Sequence, residues 1–202
     1  PTPTPTPGGG GFARRVLASW ADTHAKEVAV VDGPDGPRVL APREGVVGPA
    51  GTVKAPVQVV EVDAAGSAGD GAVADGVTGG ASAGGDTDPP SVGRDGTRVL
   101  ATLPGERQAR FLVQGDVDRD GTDELIVTGR FTGVWMIEPP AAAGQPWTRR
   151  LVDGTGRGFE QAAHIADLDG DGALELYIVH EPPRGERQVR RYTWPGPSRD
   201  VL

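Results

Sequence analysis

Short apolar segments alternate with polar loops along the second half of the chain. Residues 111–113 and 162–165 are apolar, and each segment leads into a loop that is rich in aspartate. A segment of aliphatic and β-branched residues follows each loop, and further apolar stretches lie at 133–137, 147–152 and 188–194. Segments of this length and composition, bounded by turn residues, are typical of β-strands. The pattern therefore predicts an all-β fold of short strands.

The two acidic loops belong to an internal repeat. Residues 115–127 recur as 166–179, and the first aspartates of the two loops, Asp116 and Asp167, are 51 residues apart. Four short strands in about 50 residues are the signature of a β-propeller blade. We therefore expect each unit to be one blade of about four antiparallel strands.

A weaker third copy precedes these two units. Residues 18–22 resemble 163–167, and residues 26–31 resemble 174–179. The loop between them is three residues shorter and lacks the second and third aspartates, so we do not expect it to bind a metal well. Its remaining acidic residues are Asp22 and Glu27. About three blades make a partial propeller, because a closed ring needs about four to eight. We expect the missing neighbours to come from a longer chain or from self-assembly.

The spacing of the glutamates predicts an insert in the first unit. Glu27 and Glu124 are 97 residues apart, whereas Glu124 and Glu175 are 51 residues apart. An insert of about 50 residues, at about 42–96, accounts for the difference, and its low-complexity composition is expected to keep it mobile. Alternatively, residues 45–95 form a whole degenerate blade in which 57–62 is a strand.

The domain organisation follows from these units. Residues 1–11 alternate Pro with Thr before a run of Gly, which predicts an extended and flexible tether, disordered on its own. A degenerate blade that carries the insert is expected at 12–103, and acidic-loop blades are expected at 104–152 and 153–202. The last of these is expected to be truncated within its final strand.

The acidic loops carry the oxygen ligands of a calcium site. Carboxylates stand at positions 1, 3, 5 and 9 of each loop, and Gly stands at position 6. Alternate spacing lets the side chains converge while Gly permits the sharp turn, and the carbonyl at position 7 can point to the same centre. A divalent cation would also offset the mutual repulsion of the carboxylates. The predicted ligands of about two Ca²⁺ per chain are Asp116, Asp118, Asp120, Thr122 and Glu124 in the first loop, and Asp167, Asp169, Asp171, Ala173 and Glu175 in the second.

An EF-hand and a solvated turn are two other interpretations of the loops. An EF-hand needs a bidentate Glu at position 12 and flanking helices. Position 12 is Val127 in one loop and Ile178 in the other, and both flanks have the composition of strands, so an EF-hand is excluded. Alternatively the loops are solvated turns, since Asp-Gly is a common turn signal. The recurrence of the same four carboxylates favours metal binding.

This motif between two strands resembles the FG-GAP/VCBS repeat, which is the blade unit of integrin-α-like β-propellers. The resemblance covers about residues 105–200 well and residues 12–40 weakly. In that family the loop joins two strands of a blade and holds Ca²⁺ through the carboxylates at these positions. The resemblance therefore implies the same eight carboxylate ligands and a structural role for the ion.

Composition and charge exclude several classes of protein. A net charge of −8 and 5% aromatic residues argue against nucleic-acid binding. No apolar run approaches the length of a membrane span, and the lack of cysteine excludes disulfides and thiolate chemistry. No serine-nucleophile elbow, phosphate loop or His-Glu-x-x-His motif is present, so we expect no catalytic activity.

The expected function is that of a non-catalytic calcium-binding module. We expect it in a secreted or cell-surface protein, lipid-anchored through an upstream segment, where it serves adhesion or binds a protein or glycan ligand. The excess of Arg over Lys and the absence of Asn indicate a bacterial genome of high GC content. One alternative is part of a polysaccharide lyase or another extracellular glycan-active enzyme, because rhamnogalacturonan lyases carry similar loops. Another is a calcium-stiffened spacer.

Overall fold

The chain folds into antiparallel sheets in the computed structural model. The structure describes residues 18, 20, 23, 25–32, 36–62, 87–88, 91–92, 97–142, 145–154, 158–194 and 198–202. Within these residues every regular element is a strand, apart from one 3-10 turn at Pro49–Gly51. The strands are β1 Ala29–Val31, β2 Arg38–Arg43, β3 Val46–Val47, β4 Val53–Ala55, β5 Val57–Val62, β6 Thr87–Asp88, β7 Ser91–Val92, β8 Thr97–Leu103, β9 Ala109–Gly115, β10 Glu124–Gly129, β11 Gly133–Glu138, β12 Trp147–Asp153, β13 Phe159–Ala166, β14 Glu175–Glu181, β15 Gln188–Thr193 and β16 Ser198–Val201.

Three sheets of four or five strands account for most of these elements. The first sheet has the order β1-β2-β5-β8-β7, the second β6-β12-β11-β10-β9, and the third β13-β14-β15-β16. A separate ribbon pairs β3 with β4, and all neighbouring strands are antiparallel. The prediction of an all-β fold with blade-like sheets of about four antiparallel strands is confirmed. None of the described residues forms a helix long and apolar enough to cross a membrane.

The second sheet is buried on both faces because it lies between the other two. Along β10, Leu125 and Val127 pack into a core with the first sheet, whereas Ile126 packs into a second core with the third sheet. Successive side chains of a strand point to opposite faces, so a strand covered on both sides needs apolar residues at every position. The three consecutive residues Leu125, Ile126 and Val127 in the middle of β10 meet this requirement, and all three are buried.

A buried polar network also joins the second and third sheets. Asp153 at the end of β12 accepts hydrogen bonds from the Tyr192 hydroxyl at 2.8 Å and from Arg199 at 3.0 Å. Burial raises the pKa of Tyr192, and its hydrogen bond to Asp153 adds to the rise. Within the third sheet, His180 and Glu160 form a buried pair at 2.9 Å. The bonds to Asp153 favour one orientation of the third sheet against the second, since buried polar groups need their partners, whereas the His180–Glu160 pair joins two strands of the third sheet.

The structure places part of the predicted insert at 42–96 inside the first sheet. Strand β5 lies between β2 and β8, and four of its six residues are buried valines. Burial of these valines stabilises the sheet, so this segment belongs to the fold instead of being looped out. The low-complexity residues 63–86 lie outside the described residues, as do the tether at 1–11 and Asp22 of the weaker copy.

Candidate metal centres

The two acidic loops lie side by side at one end of the sheets. Each loop connects an edge strand of its sheet to the neighbouring strand, β9 to β10 in one case and β13 to β14 in the other. Strands β9 and β13 contact each other, which brings the loops together. The Arg119 side chain of the first loop reaches Asp171 of the second loop at 3.4 Å.

Equivalent hydrogen bonds shape the two loops. In each loop, the aspartate at position 1 accepts a hydrogen bond from the amide of the glycine at position 6. The distance is 3.1 Å from Gly121 to Asp116 and 2.9 Å from Gly172 to Asp167. Both glycines have positive φ, 89° and 84°, a conformation that suits a residue without a Cβ. The local sequence therefore builds the same turn twice.

The loops gather their carboxylates into two clusters. Oxygens of Asp116, Asp118 and Asp120 lie within 4.8 Å of one another in the first loop. In the second loop the cluster has four members within the same distance: Asp167, Asp169, Asp171 and Glu175. Both acidic clusters could hold a metal ion. The structure thus brings together seven of the eight carboxylates that the sequence singled out, and Glu124 stands apart from the first cluster.

The glutamates at position 9 are buried beneath their loops. Glu124 accepts a hydrogen bond from the Val117 amide at 3.1 Å, and Glu175 accepts the equivalent bond from Leu168 at 3.2 Å. Burial raises the pKa of the Glu124 carboxyl from 4.5 to about 7. The Val117 amide opposes this rise, and the charges of the three neighbouring aspartates add to it.

The carbonyl ligands at position 7 remain a prediction. The amides of Thr122 and Ala173 donate hydrogen bonds to the aspartates two residues earlier, at 2.8 Å and 2.6 Å. These bonds hold position 7 against position 5 in both loops. They fix the backbone next to the cluster without showing where the carbonyl oxygens point.

One oxygen of the first cluster indicates that a cation fits there. The Asp116 Oδ2 atom accepts the Gly121 amide, whereas its Oδ1 atom is buried and has no hydrogen-bond partner. A buried carboxylate oxygen without a donor costs free energy, and a cation at the centre of the cluster would satisfy it. The donor set consists of oxygens alone, which is the chemistry of a hard cation such as Ca²⁺ or Mg²⁺.

Two arginines make the second loop different from the first. Besides the contact of Arg119 with Asp171, Arg191 lies 3.6 Å from Asp169 and 3.1 Å from Asp200. Among the described residues, no arginine or lysine forms an ion pair with the aspartates of the first loop. The second cluster is therefore partly neutralised by the protein itself, and the first is not.

Sequence reasoning did not single out Arg119. Arg119 occupies position 4 of the first loop, where the second loop has Gly170, and both residues have positive φ, 66° and 76°. The pairing of Arg119 with Asp171 joins residues 52 positions apart in two different repeats, which no local motif reveals. The one signal in the sequence was that position 4 is Arg119 in the first loop and Gly170 in the second.

The family comparison matches this part of the chain. A family model described as FG-GAP-like repeat matches residues 116–178. The match begins at the first aspartate of the first loop and ends within β14, so it includes both acidic clusters. No curated protein and no solved structure matches the chain.

Proposed function

Because residues 116–178 match a family model described as FG-GAP-like repeat, we propose that the chain is a non-catalytic calcium-binding module of a secreted or cell-surface protein. Each acidic loop binds one Ca²⁺, and the module serves adhesion or the binding of a protein or glycan ligand. The observation that carries the calcium proposal is the pair of equivalent carboxylate clusters, one of which contains the buried Asp116 oxygen without a partner.

The role of calcium in this proposal is structural. A bound ion would supply positive charge at the centre of each cluster. It would also hold the loop that connects β9 to β10 in one sheet or β13 to β14 in the other. Because these strands also contact the neighbouring sheet, an ordered loop supports the packing of two sheets. An affinity of roughly 10⁻⁴ to 10⁻³ M is expected for an extracellular module of this kind. Extracellular calcium is sufficient to load such a site.

Calorimetric titration tests the proposal. We expect heat of binding with two Ca²⁺ per chain, one for each cluster. Mg²⁺ should give a smaller response because it dehydrates reluctantly and demands a stricter octahedral geometry. The absence of calcium-dependent heat would leave the loops as ordinary turns, and equal responses to both ions would contradict a site that is selective for calcium.

We expect the Arg119→Gly variant to bind calcium more tightly at the second loop. Arg119 competes with a cation for Asp171, and an exposed ion pair of this kind is worth enough to change affinity about two- to fivefold. Glycine suits the positive φ at this position, as Gly170 does in the second loop. Calorimetry in an Asp116→Asn background isolates the second loop. Arg150→Gln, which removes an arginine already paired with Glu138, is the matched control. Unchanged affinity in the Arg119 variant would show that the ion pair does not compete.

The calcium-free protein is expected to lose stability as the pH rises from about 4.5 to about 7. The pKa of Glu124 is raised in the folded state, so the folded protein holds this proton more tightly than the unfolded chain does. The stabilisation is complete below the unfolded pKa and is lost as the pH passes the folded value. Urea unfolding in a chelator across this range should show the loss, and Glu124→Gln should reduce it. Burial also raises the pKa of Glu27 and Glu160, so their titration contributes to the pH dependence of both proteins. The contribution of Glu124 is therefore the difference in the free energy of unfolding between wild type and variant at each pH. Parallel pH profiles would contradict the assignment to Glu124.

A further inference from the structure

Three arginines and two phenylalanines stack in alternation at the end of the sheets opposite the acidic loops. The guanidinium of Arg107 lies 4.3 Å from the centre of the Phe131 ring, and that of Arg130 lies 5.3 Å from the same ring. Arg130 also lies 3.8 Å from the centre of the Phe159 ring, and Arg110 lies 5.7 Å from it. We call this row the arginine ladder.

The ladder is assembled from separate segments of the chain. Arg107 lies in the connection from β8 to β9, Arg130 and Phe131 lie in the turn from β10 to β11, and Phe159 begins β13. The acidic loops lie at the other ends of β9, β10 and β13. The row therefore spans the second and third sheets on the face away from the candidate metal centres.

The three guanidinium groups have no carboxylate partner within the described part of the chain. Arg107 donates to the Gly51 carbonyl at 2.9 Å, and Arg130 donates to the Gln108 side chain at 2.9 Å. The Nε atom of Arg107 is buried and has no hydrogen-bond partner. The chain has 28 acidic and 20 basic residues, so carboxylates are in excess. A cluster of arginines without carboxylate partners is therefore a local concentration of positive charge on an acidic protein.

An open cavity adjoins one end of the ladder. It has a volume of about 400 Å³, and Arg107 and Phe131 form part of its wall. Val47 adds an apolar surface, Gln108 and Thr23 add polar groups, and Glu44 adds a carboxylate whose charge is paired with Lys26 at 3.0 Å. A cavity of this mixed character can accept a side chain next to the charged groups.

We propose that the arginine ladder binds an acidic peptide segment of a partner protein. The carboxylates of that peptide accept hydrogen bonds from the guanidinium groups, whose planar shape suits paired bonds to a carboxylate. An adjacent apolar side chain of the peptide occupies the cavity beside Val47. This inference deepens the ligand-binding part of the proposed function and does not require the calcium ions.

The stacking geometry favours a peptide over an acidic polysaccharide. A sugar binds an aromatic residue by lying against the face of the aromatic ring. In the ladder each phenyl ring is already contacted by two guanidinium groups. These contacts hold the guanidinium groups in place and leave the N–H donors that are not bonded to Gly51 or Gln108 for an anion.

Binding of fluorescein-labelled poly-L-glutamate to the full chain, followed by anisotropy in calcium-containing buffer, tests this inference. We expect the wild type to bind, and the affinity to fall as salt is raised, because exposed charges are screened. Arg110→Gln combined with Arg130→Gln should weaken binding about tenfold or more. Arg110→Lys with Arg130→Lys should lose part of the affinity, since lysine keeps the charge without the planar fork. Arg150→Gln, which removes one positive charge from β12, should bind as the wild type does, and the single variant Arg130→Gln, which removes one charge from the ladder, is the charge-matched comparison.

Three results would overturn the inference. The first is no binding of polyglutamate by the wild type, and the second is equal binding by the Arg110/Arg130 glutamine variant. The third is arginine-dependent binding of polygalacturonate without binding of polyglutamate, which assigns the ladder to an acidic glycan. Melting curves of every variant confirm that the comparison is made on folded protein. Calcium calorimetry on the same samples separates the two proposals. Peptide binding without calcium binding would contradict only the proposed calcium sites. Calcium binding without peptide binding would contradict only the proposed role of the arginine ladder.

Discussion

Replacing Glu106 with alanine is expected to lower the free energy of unfolding by about 4 kcal/mol. The Glu106 side chain is 0% exposed, yet it carries a carboxyl group in the interior. One of its oxygens accepts the amides of Arg107 and Gln108 at 2.9 and 3.0 Å. The other accepts the amide and the hydroxyl of Thr132 at 2.8 and 2.7 Å. Alanine would leave these buried donors without an acceptor.

The position of Glu106 explains why the effect is large. The Phe131 amide also donates to its carboxylate, at 3.1 Å, so one side chain joins the β8–β9 connection to the β10–β11 turn. Gly129 packs directly against this carboxylate, and a Cβ at that position would collide with it. The same turn carries two members of the arginine ladder, Arg130 and Phe131. Loss of Glu106 should therefore reduce polyglutamate binding as well as stability.

Urea unfolding of the Glu106→Ala variant measures this effect. Glu106→Gln should have an intermediate effect, because its amide keeps one acceptor oxygen while its NH₂ group faces other donors. Glu186→Ala, which removes an exposed glutamate, should change the free energy of unfolding by no more than about 0.5 kcal/mol. A loss of less than about 1 kcal/mol in Glu106→Ala would mean that water replaces the carboxylate at little cost.

The repeat made the strands of the second and third sheets predictable. The apolar residues 125–127 and the acidic loop before them carry local signals, namely composition, length and fixed spacing. The first sheet carried weaker signals. The degenerate copy indicated residues 26–31, and residues 57–62 were a strand only in the alternative of a degenerate blade. Strand β5 pairs with β8, whose residues follow it by about 40 positions, and the spacing of the glutamates suggested an insert there instead.

The residues of the candidate sites also fall into a group that the sequence predicted and a group that it did not. Seven of the eight carboxylates converge as their spacing predicts, because each loop is a local turn. Glu106, Arg119 and the arginine ladder were not predictable, since their partners come from other segments. Glu106 lies 26 residues before Thr132, and its local sequence resembles an ordinary turn. Interactions that depend on which sheets become neighbours leave no pattern in a single sequence.

Calcium is expected to raise the free energy of unfolding by about 5 kcal/mol when its concentration is 100 times the dissociation constant. Each site contributes about 2.7 kcal/mol at this concentration, provided that the unfolded chain does not bind the ion. The two clusters are expected to contribute separately because each has its own set of carboxylates. Urea unfolding in calcium and in a chelator gives the difference directly.

The double variant Asp116→Asn and Asp167→Asn should lose nearly all of this calcium effect. Asparagine keeps an oxygen that can accept the amide of Gly121 or Gly172, so the turns are retained while a charge is removed from each cluster. In a chelator this variant should be at least as stable as the wild type, because fewer carboxylates repel one another. Each single variant should lose about half of the calcium effect.

Asp123→Asn is the matched control for this series. Asp123 lies in the first loop outside the carboxylate cluster and accepts a hydrogen bond from Gln114 at 3.0 Å, so the same chemical change is made without touching the cluster. It should retain the full stabilisation by calcium. If the double variant were stabilised as much as the wild type, the ions would bind elsewhere. If Asp123→Asn lost the effect as well, calcium would be acting through the general negative charge of the loops rather than through ligands at fixed positions.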